Sequence, residues 1–255
     1  MNLVIDVGNT SAKAAIFVDN RVIKRIENLD EKALMNVLAQ EKINHIIFSS
    51  VNHHAEKLLS ICTPPWITSS VSVFKLSYLL PLPIKVLYKT PATLGMDRVA
   101  AVTGATILYP NTNSLLIDAG TCITFDYIDS HLQYHGGAIS LGLQMRFRAL
   151  HEFTAKLPLF SKSNYTKENS FIGESTQTSM VSGVINGIIH EIEGMIDLFK
   201  EKFGNLQVIF CGGDGLFLYE LVKDKLKNTA LLLSYQQDAL FIGLNRILQY
   251  NLELR

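Results

Sequence analysis

Two stretches decide the fold: "LVIDVGNTSAKAAIFVD" at residues 3 to 19 and "LLIDAGTCITFDYID" at residues 115 to 129. Each runs from an apolar strand into an aspartate, a small apolar residue and a glycine, then into a second strand, so Asp6 and Asp118 are counterparts. Such an echo implies an internal duplication, which sets the architecture of the whole chain.

The surrounding pattern repeats in the same order. Strand-length apolar runs fall at 3 to 6, 13 to 18, 21 to 26, 45 to 49 and about 71 to 76, with helical patterns near 31 to 40 and 53 to 60. In the second half, strands are expected at 114 to 118, 122 to 128, 131 to 139, 207 to 211 and 230 to 234. Helices are expected near 142 to 152, 175 to 203, 214 to 226 and 237 to 250. The pattern predicts an α/β protein of two sheet-containing domains, 1–113 and 114–255, facing one another across a cleft. Their boundary lies in "YPNTNS", 109 to 114, where Pro110 and two asparagines break the pattern. "TPPWITSS" (63 to 70) and "FSKSNYTKENS" (160 to 170) read as surface loops.

With 255 residues the chain can bury a substantial core. Its 23 lysines and arginines balance 23 aspartates and glutamates, so net charge points to neither a nucleic-acid partner nor an anionic membrane. Cys62, Cys122 and Cys211 are scattered, without metal-type spacing, and no leader pattern or membrane-length apolar run is present. A cytoplasmic protein without structural zinc or disulfides is the expectation.

Asp6 is a charge at the end of an apolar strand, where the chain bends through Gly8, Asn9 and Thr10. Successive amides in such a turn form a concave nest for phosphate oxygens. A carboxylate beside phosphate repels it unless a divalent cation lies between them, and Mg²⁺ is commonly held by one or two carboxylates plus phosphate and water. Asp6 therefore reads as a metal-side carboxylate acting through water, with Lys13 reaching back as a point charge. The plainer alternative is a tight hairpin closed by Asp and Asn; two matching turns favour a nucleotide between domains. No "GxxxxGK[ST]" run occurs. "VIFCGGDG", 208 to 215, adds a strand ending in glycines before a helical run, which points backbone amides at a ligand.

"YKTPATLGMDRVAAVTGA", 88 to 105, runs into a small-residue helix with Asp97 and Arg98 in its first turn. A carboxylate there is favoured by the helix dipole alone. With a hydroxyl acceptor alongside, Asp97 can take its proton and Arg98 can pair with a carboxylate or phosphate. Phosphoryl transfer asks the protein mainly for positioning and charge stabilisation. His53 and His54 are adjacent and read as surface residues, Arg146 and Arg148 as phosphate contacts, solvated helix charges or interface partners, and Cys122 and Cys211 as small buried thiols.

Taken in order, "DVGNT" with Lys13, "LGMDR" after Tyr88, "DAGTCITFD", "GGAISLGL", "STQTSMVSG" and "CGGDG" resemble the type III pantothenate kinases of the actin, Hsp70 and sugar-kinase superfamily. The resemblance spans essentially the whole chain. It implies two duplicated ribonuclease H-like (actin-like ATPase) domains and ATP-dependent phosphorylation of pantothenate, the first step of coenzyme A biosynthesis. It implies that Asp6, Val7, Gly8, Asn9, Thr10, Ser11, Ala12 and Lys13 hold the ATP phosphates, with Asp6 near Mg²⁺, and that Thr121 contacts ATP. By the same resemblance Asp97 is the proton acceptor, and Tyr88, Gly95, Met96, Asp97, Arg98 and Thr176 line the pantothenate pocket. Asp118 matches the ligand position for a monovalent cation, K⁺ or NH₄⁺, and the family is homodimeric, with "GGAISLGL" and 175 to 203 matching interface segments. The chain departs from the family at Leu141, usually proline, at Cys122, commonly alanine, and at Ser175, commonly asparagine. Two other readings share these features: a non-catalytic accessory or regulatory relative, and another small-acceptor kinase of the superfamily.

Overall fold

The computed structural model describes residues 1–8, 10–50, 55–62, 71–166, 171–226 and 231–255. Asn9, His53, His54, the 63 to 70 loop and residues 167 to 170 lie outside the described residues. The chain forms two compact units. The first comprises Met1–Asn111, Ile128–Gly136 and Asp238–Arg255, and the second Thr112–Tyr127 and Gly137–Gln237.

The first unit is built on β1 (Asn2–Val7), β2 (Ala12–Val18), β3 (Arg21–Ile26), β4 (His45–Ser50) and β5 (Ser72–Lys75), in the order β3-β2-β1-β4-β5. β1, β2 and β3 pair antiparallel, whereas β1, β4 and β5 pair in parallel, the mixed arrangement of a ribonuclease H-like sheet. Alternation along each strand sends side chains to opposite faces. Leu3, Ile5 and Val7 pack with Ala14, Ile16, Ile46 and Phe48 under α1 (Glu31–Gln40) and α2 (Ala55–Cys62). Val4, Ala15 and Ile47 pack on the other face with Ala100, Phe241, Leu244, Ile247 and Leu248. Those five residues belong to α3 (Met96–Leu108) and α7 (Ala239–Glu253). α1 starts where the sequence asks it to, at Asp30, whose carboxylate accepts from the Ala33 N–H at 2.7 Å.

α3 and α7 touch through their backbones. A Cβ on Gly104 would sit 1.8 Å from the Ala239 carbonyl oxygen, and one on Gly243 would sit 1.7 Å from that of Ala100. Two glycines, one on each helix, thus permit the approach. The Asp238 carboxylate at the start of α7 is bound by Arg25 of β3, with Nε to Oδ1 at 2.6 Å. A short strand, β6 (Lys85–Val86), pairs in parallel with the first residues of β9 (Gln133–Leu141).

The second unit repeats the plan. β7 (Ser114–Ala119), β8 (Cys122–Ile128), β9, β10 (Gln207–Cys211) and β11 (Leu232–Tyr235) stand in the order β9-β8-β7-β10-β11, the counterpart of β3-β2-β1-β4-β5. One face of this sheet, through Leu115, Ile117, Ile123, Phe125, Val208 and Phe210, packs against α5 (Thr176–Phe203) and α6 (Gly215–Leu226). Ser175 caps α5, its hydroxyl accepting from the Thr178 N–H at 3.2 Å. Serine and asparagine are interchangeable in that role, which accounts for the departure at this position. α4 (Leu143–Glu152) follows β9, and Arg146 on it binds Glu191, the Ser140 hydroxyl and the Leu141 carbonyl, while Arg148 pairs with Glu152. Among the described residues no helix is long and apolar enough to cross a membrane.

Candidate active site

The first aspartate turn joins β1 to β2, with Asp6 directly opposite Lys13 across the pair and the Gly8 N–H donating to the Ser11 carbonyl at 3.2 Å. By strand alternation Asp6 follows Val4 and Lys13 follows Ala15, onto the face covered by α3 and α7. Oδ1 of Asp6 is shielded from solvent. Lys13 donates to Glu27 at 3.0 Å, so its ammonium is held beside the turn by a carboxylate. A cavity of about 320 Å³ adjoins Val7, Gly8, Thr10, Ser11 and Ala12, but its other walls are Leu29, Asp30, Glu31, Lys57 and Leu58, on the α1–α2 side. The Asp6 carboxylate faces the opposite way, and this cavity is not assigned to phosphate.

α3 carries the second element. It begins at Gly95 without a side-chain cap, and the Asp97 carboxylate accepts from the Arg98 N–H at 2.9 Å. A Cβ at Gly95 would lie 2.5 Å from Asp97 Oδ1, so the glycine leaves the space into which this carboxylate folds. Arg98 is buried, at 7% exposure, where a guanidinium must be paired. Met96 packs beside the cluster that contains Ala100 and Val4. Tyr88 follows directly on the β6–β9 pairing, which the Leu87 N–H extends to the Tyr134 carbonyl at 2.9 Å, and its ring lies against Gly136. The first unit therefore holds the Asp6–Lys13 turn together with Tyr88, Gly95, Met96, Asp97 and Arg98.

Thr121, Asp118, Thr176 and the 212 to 215 glycines belong to the second unit. There the Gly120 N–H donates to the Cys122 carbonyl at 2.9 Å, closing a shorter turn than the Gly8–Ser11 one. Gly212 has φ +86 and lies so near Asp118 that a Cβ would be 2.3 Å from Oδ1 and 2.4 Å from the Ala119 carbonyl oxygen. Only glycine serves at such a position. The Asp214 N–H donates to the Ala119 carbonyl at 2.8 Å and its carboxylate accepts from Lys162 at 2.5 Å, tying the glycine turn to the Asp118 turn. Gly142 also abuts that turn, its N–H donating to the Thr121 carbonyl at 3.1 Å. Thr176 opens α5 and is exposed. Cys211 sits opposite Asp118 on β10, and burial, then the charges of Asp118 and Asp126, push its thiol well above the ordinary value.

Among the described residues no group of three or more His, Cys, Asp or Glu side chains gathers to hold a metal. A cation here would draw on one carboxylate, with ligand and water oxygens completing its shell, as Mg²⁺ bound to phosphates does. Asp6, a hard oxygen donor beside a turn of backbone amides, fits that requirement. Three features escape the sequence reading: Ser49 beside Asp6, Gly142 against the second turn, and the Lys162–Asp214 pair. Only Gly142 carries a signal, as the last glycine of "GGAISLGL".

The profile of the type III pantothenate kinase family matches residues 2–198. The chain belongs to the type III pantothenate kinase family. It is 42% identical to the type III pantothenate kinase of Christiangramia forsetii, over 98% of this chain and 99% of that one. It is 38% identical to that of Porphyromonas gingivalis, over 98% of each. Solved structures share the fold. A Campylobacter jejuni protein described as a Baf family transcriptional activator matches with TM-score 0.62 and 22% identity, over 98% of this chain and 99% of that one. The activator of 2-hydroxyisocaproyl-CoA dehydratase from Clostridium difficile, solved with ADPNP, matches with TM-score 0.54 and 11% identity, over 100% and 98%. The ROK hexokinase of Thermus thermophilus matches with TM-score 0.52 and 13% identity, over 99% of each. Membership of the type III pantothenate kinases thus rests on sequence, and the actin-like ATPase and sugar-kinase architecture on structure.

Proposed function

We propose that this protein transfers the terminal phosphoryl group of ATP to the primary hydroxyl of pantothenate, giving 4'-phosphopantothenate and ADP at the start of coenzyme A biosynthesis. Within its family, one observation carries the reading furthest. In a single unit, the Asp6–Lys13 turn lies on the sheet face that α3 covers, and α3 carries Asp97 in its first turn beside a glycine that makes room for it.

In this reading residues 6 to 13 cradle the phosphates, and Thr121 meets the nucleotide from the second turn. Mg²⁺, when bound, neutralises phosphate oxygens, with Asp6 as its protein-side carboxylate through water. Lys13, drawn from Glu27, offers its ammonium to the transferring group. Tyr88, Gly95, Met96, Arg98 and Thr176 line the acceptor pocket, and the buried Arg98 guanidinium suits the pantothenate carboxylate. Asp97 accepts the hydroxyl proton as oxygen bonds to phosphorus and the bond from phosphorus to ADP breaks. Asp118, its carboxylate beside the Gly212 backbone, is the monovalent cation ligand. Residues 1–113 and 114–255 are the two actin-like domains, with α7 returning to the first. The active species is a cytoplasmic homodimer that needs neither nucleic acid nor membrane. With Asp6, Lys13, Asp97 and Asp118 all in place, a non-catalytic role has no support in this chain.

The decisive experiment is coupled ADP release with pantothenate against a panel of sugars and short hydroxy acids, with and without K⁺. Turnover confined to pantothenate and raised by K⁺ is expected. Turnover on a sugar and none on pantothenate overturns the substrate.

A further inference from the structure

On the α3–α7 face of the first sheet, three residues stand side by side on neighbouring strands: Lys13 on β2, Asp6 on β1 and Ser49 on β4, paired Lys13↔Asp6 and Asp6↔Ser49. Ser49 follows Ile47, which packs on this face, whereas Ile46 and Phe48 pack on the other. It is 0% exposed, and among the described residues its hydroxyl has no hydrogen-bond partner. A buried hydroxyl without a partner lowers stability, and alanine would fill the position at no such cost. The hydroxyl therefore calls for a role beyond packing.

The duplication supplies an independent indication. "HIIFSS" of β4 and "QVIFCG" at and after β10 occupy the same place in the two halves, and Cys211 is to Asp118 what Ser49 is to Asp6, register for register. Burial keeps the Cys211 thiol protonated, a donor. Each aspartate at the head of a half is thus accompanied, one strand over, by a small side chain bearing a single proton to donate.

We propose that Ser49 is a positioning residue for Asp6, its hydroxyl donating to the carboxylate when a magnesium nucleotide is bound and so fixing the face that Asp6 turns to the metal's water shell. Neighbouring strands lie about 4.8 Å apart, which side-chain rotation alone spans with a hydroxyl and a carboxylate. Lys13 and Ser49 then flank Asp6 from opposite sides, one by charge and one by hydrogen bond. The inference rests on the nucleotide role proposed for the first turn, and it concerns binding rather than the acceptor.

The test is calorimetric titration of the full chain with ADP, with and without Mg²⁺, together with the thermal midpoint of the ligand-free protein. Ser49→Ala should keep or raise the ligand-free midpoint, leave Mg²⁺-free ADP binding unchanged, and weaken Mg·ADP binding about tenfold, the low end for losing a residue that orients a metal ligand. Ser49→Cys, keeping a weaker donor, should fall between wild type and alanine, and it carries the test alone if the alanine variant does not fold. Wild-type Mg·ADP affinity in the variants overturns the proposal. So does a fall of several degrees in the ligand-free midpoint with affinity unchanged, which would make Ser49 a core residue only. Pantothenate turnover of the wild type is measured alongside. A wild type that binds Mg·ADP yet leaves pantothenate untouched removes the proposed reaction and keeps the Ser49 comparison valid; one that does not bind Mg·ADP overturns the Ser49 role itself.

Discussion

Replacing Gly104 with alanine puts a methyl group 1.8 Å from the Ala239 carbonyl oxygen and 2.7 Å from its carbon, where ordinary contact begins near 3.4 Å. Both atoms are backbone, so no side chain can rotate away. α3 must retreat from α7 by roughly 1.5 Å at this point, and overpacking of this kind costs about 1–3 kcal/mol. For a chain of this size that is a fall of roughly 3–10 °C in the thermal midpoint. The consequence for activity is larger. Asp97 lies two turns upstream on the same helix, and a displacement of about 1 Å in a reacting group costs on the order of 10²-fold. Thermal unfolding and ADP release should show a folded Gly104→Ala protein with kcat reduced about 10²-fold. Wild-type midpoint and turnover in Gly104→Ala would refute the argument that the α3–α7 approach sets the position of Asp97.

Asp97→Asn should keep the fold and Mg·ADP binding while kcat falls about 10²-fold or more, the scale of losing a general base; wild-type turnover removes Asp97 from that role. Asp118→Ala should flatten the response of activity to K⁺, and a full response in the variant places the cation elsewhere. With Cys62 pushed up to about 12 by burial and Cys211 raised likewise, alkylation at pH 8 followed by mass spectrometry should mark Cys122 first, and Mg·ATP should slow it. Burial of Asp129 tends to raise its pKa, but hydrogen bonds from the His135 ring and the Gln133 and His131 N–H groups outweigh it and hold the carboxyl below its usual value. A depressed folded value stabilises above the unfolded pKa of about 3.9 and is lost as pH falls through the folded one. Asp129→Asn should therefore be less stable than wild type at neutral pH, and the difference should vanish as pH falls through the depressed folded value.

Most of the strand and helix order was legible because each element carries its own periodicity. β6 was not, since a two-residue strand has no period to show. α3 shows no clean stripe either, because Arg98 through Ala105 are all buried, covered by a sheet on one side and a helix on another. The run of α7 revealed an apolar face but not its cover, which lies in the first unit, more than a hundred residues upstream. Asp97 could be singled out from its place in the first turn of a helix, whereas Gly95 entered through the family resemblance. Pairings between strands far apart in sequence could not be read: Ser49 beside Asp6, and Cys211 beside Asp118, are products of register. Lys13 could be placed near Asp6, but its ion pair with Glu27 depends on the return of β3.

The dependence of the first unit on α7 also has a consequence during synthesis. Phe241, Leu244, Ile247 and Leu248 complete a cluster whose earlier members include Val4, Ala15 and Ile47, which emerge from the ribosome early. Until α7 is released, this face of the nascent sheet lacks part of its cover, and exposed apolar strands invite misassembly. Chains halted before residue 239 should accordingly engage chaperones or aggregate, even though the complete sequence of both aspartate turns has already been made.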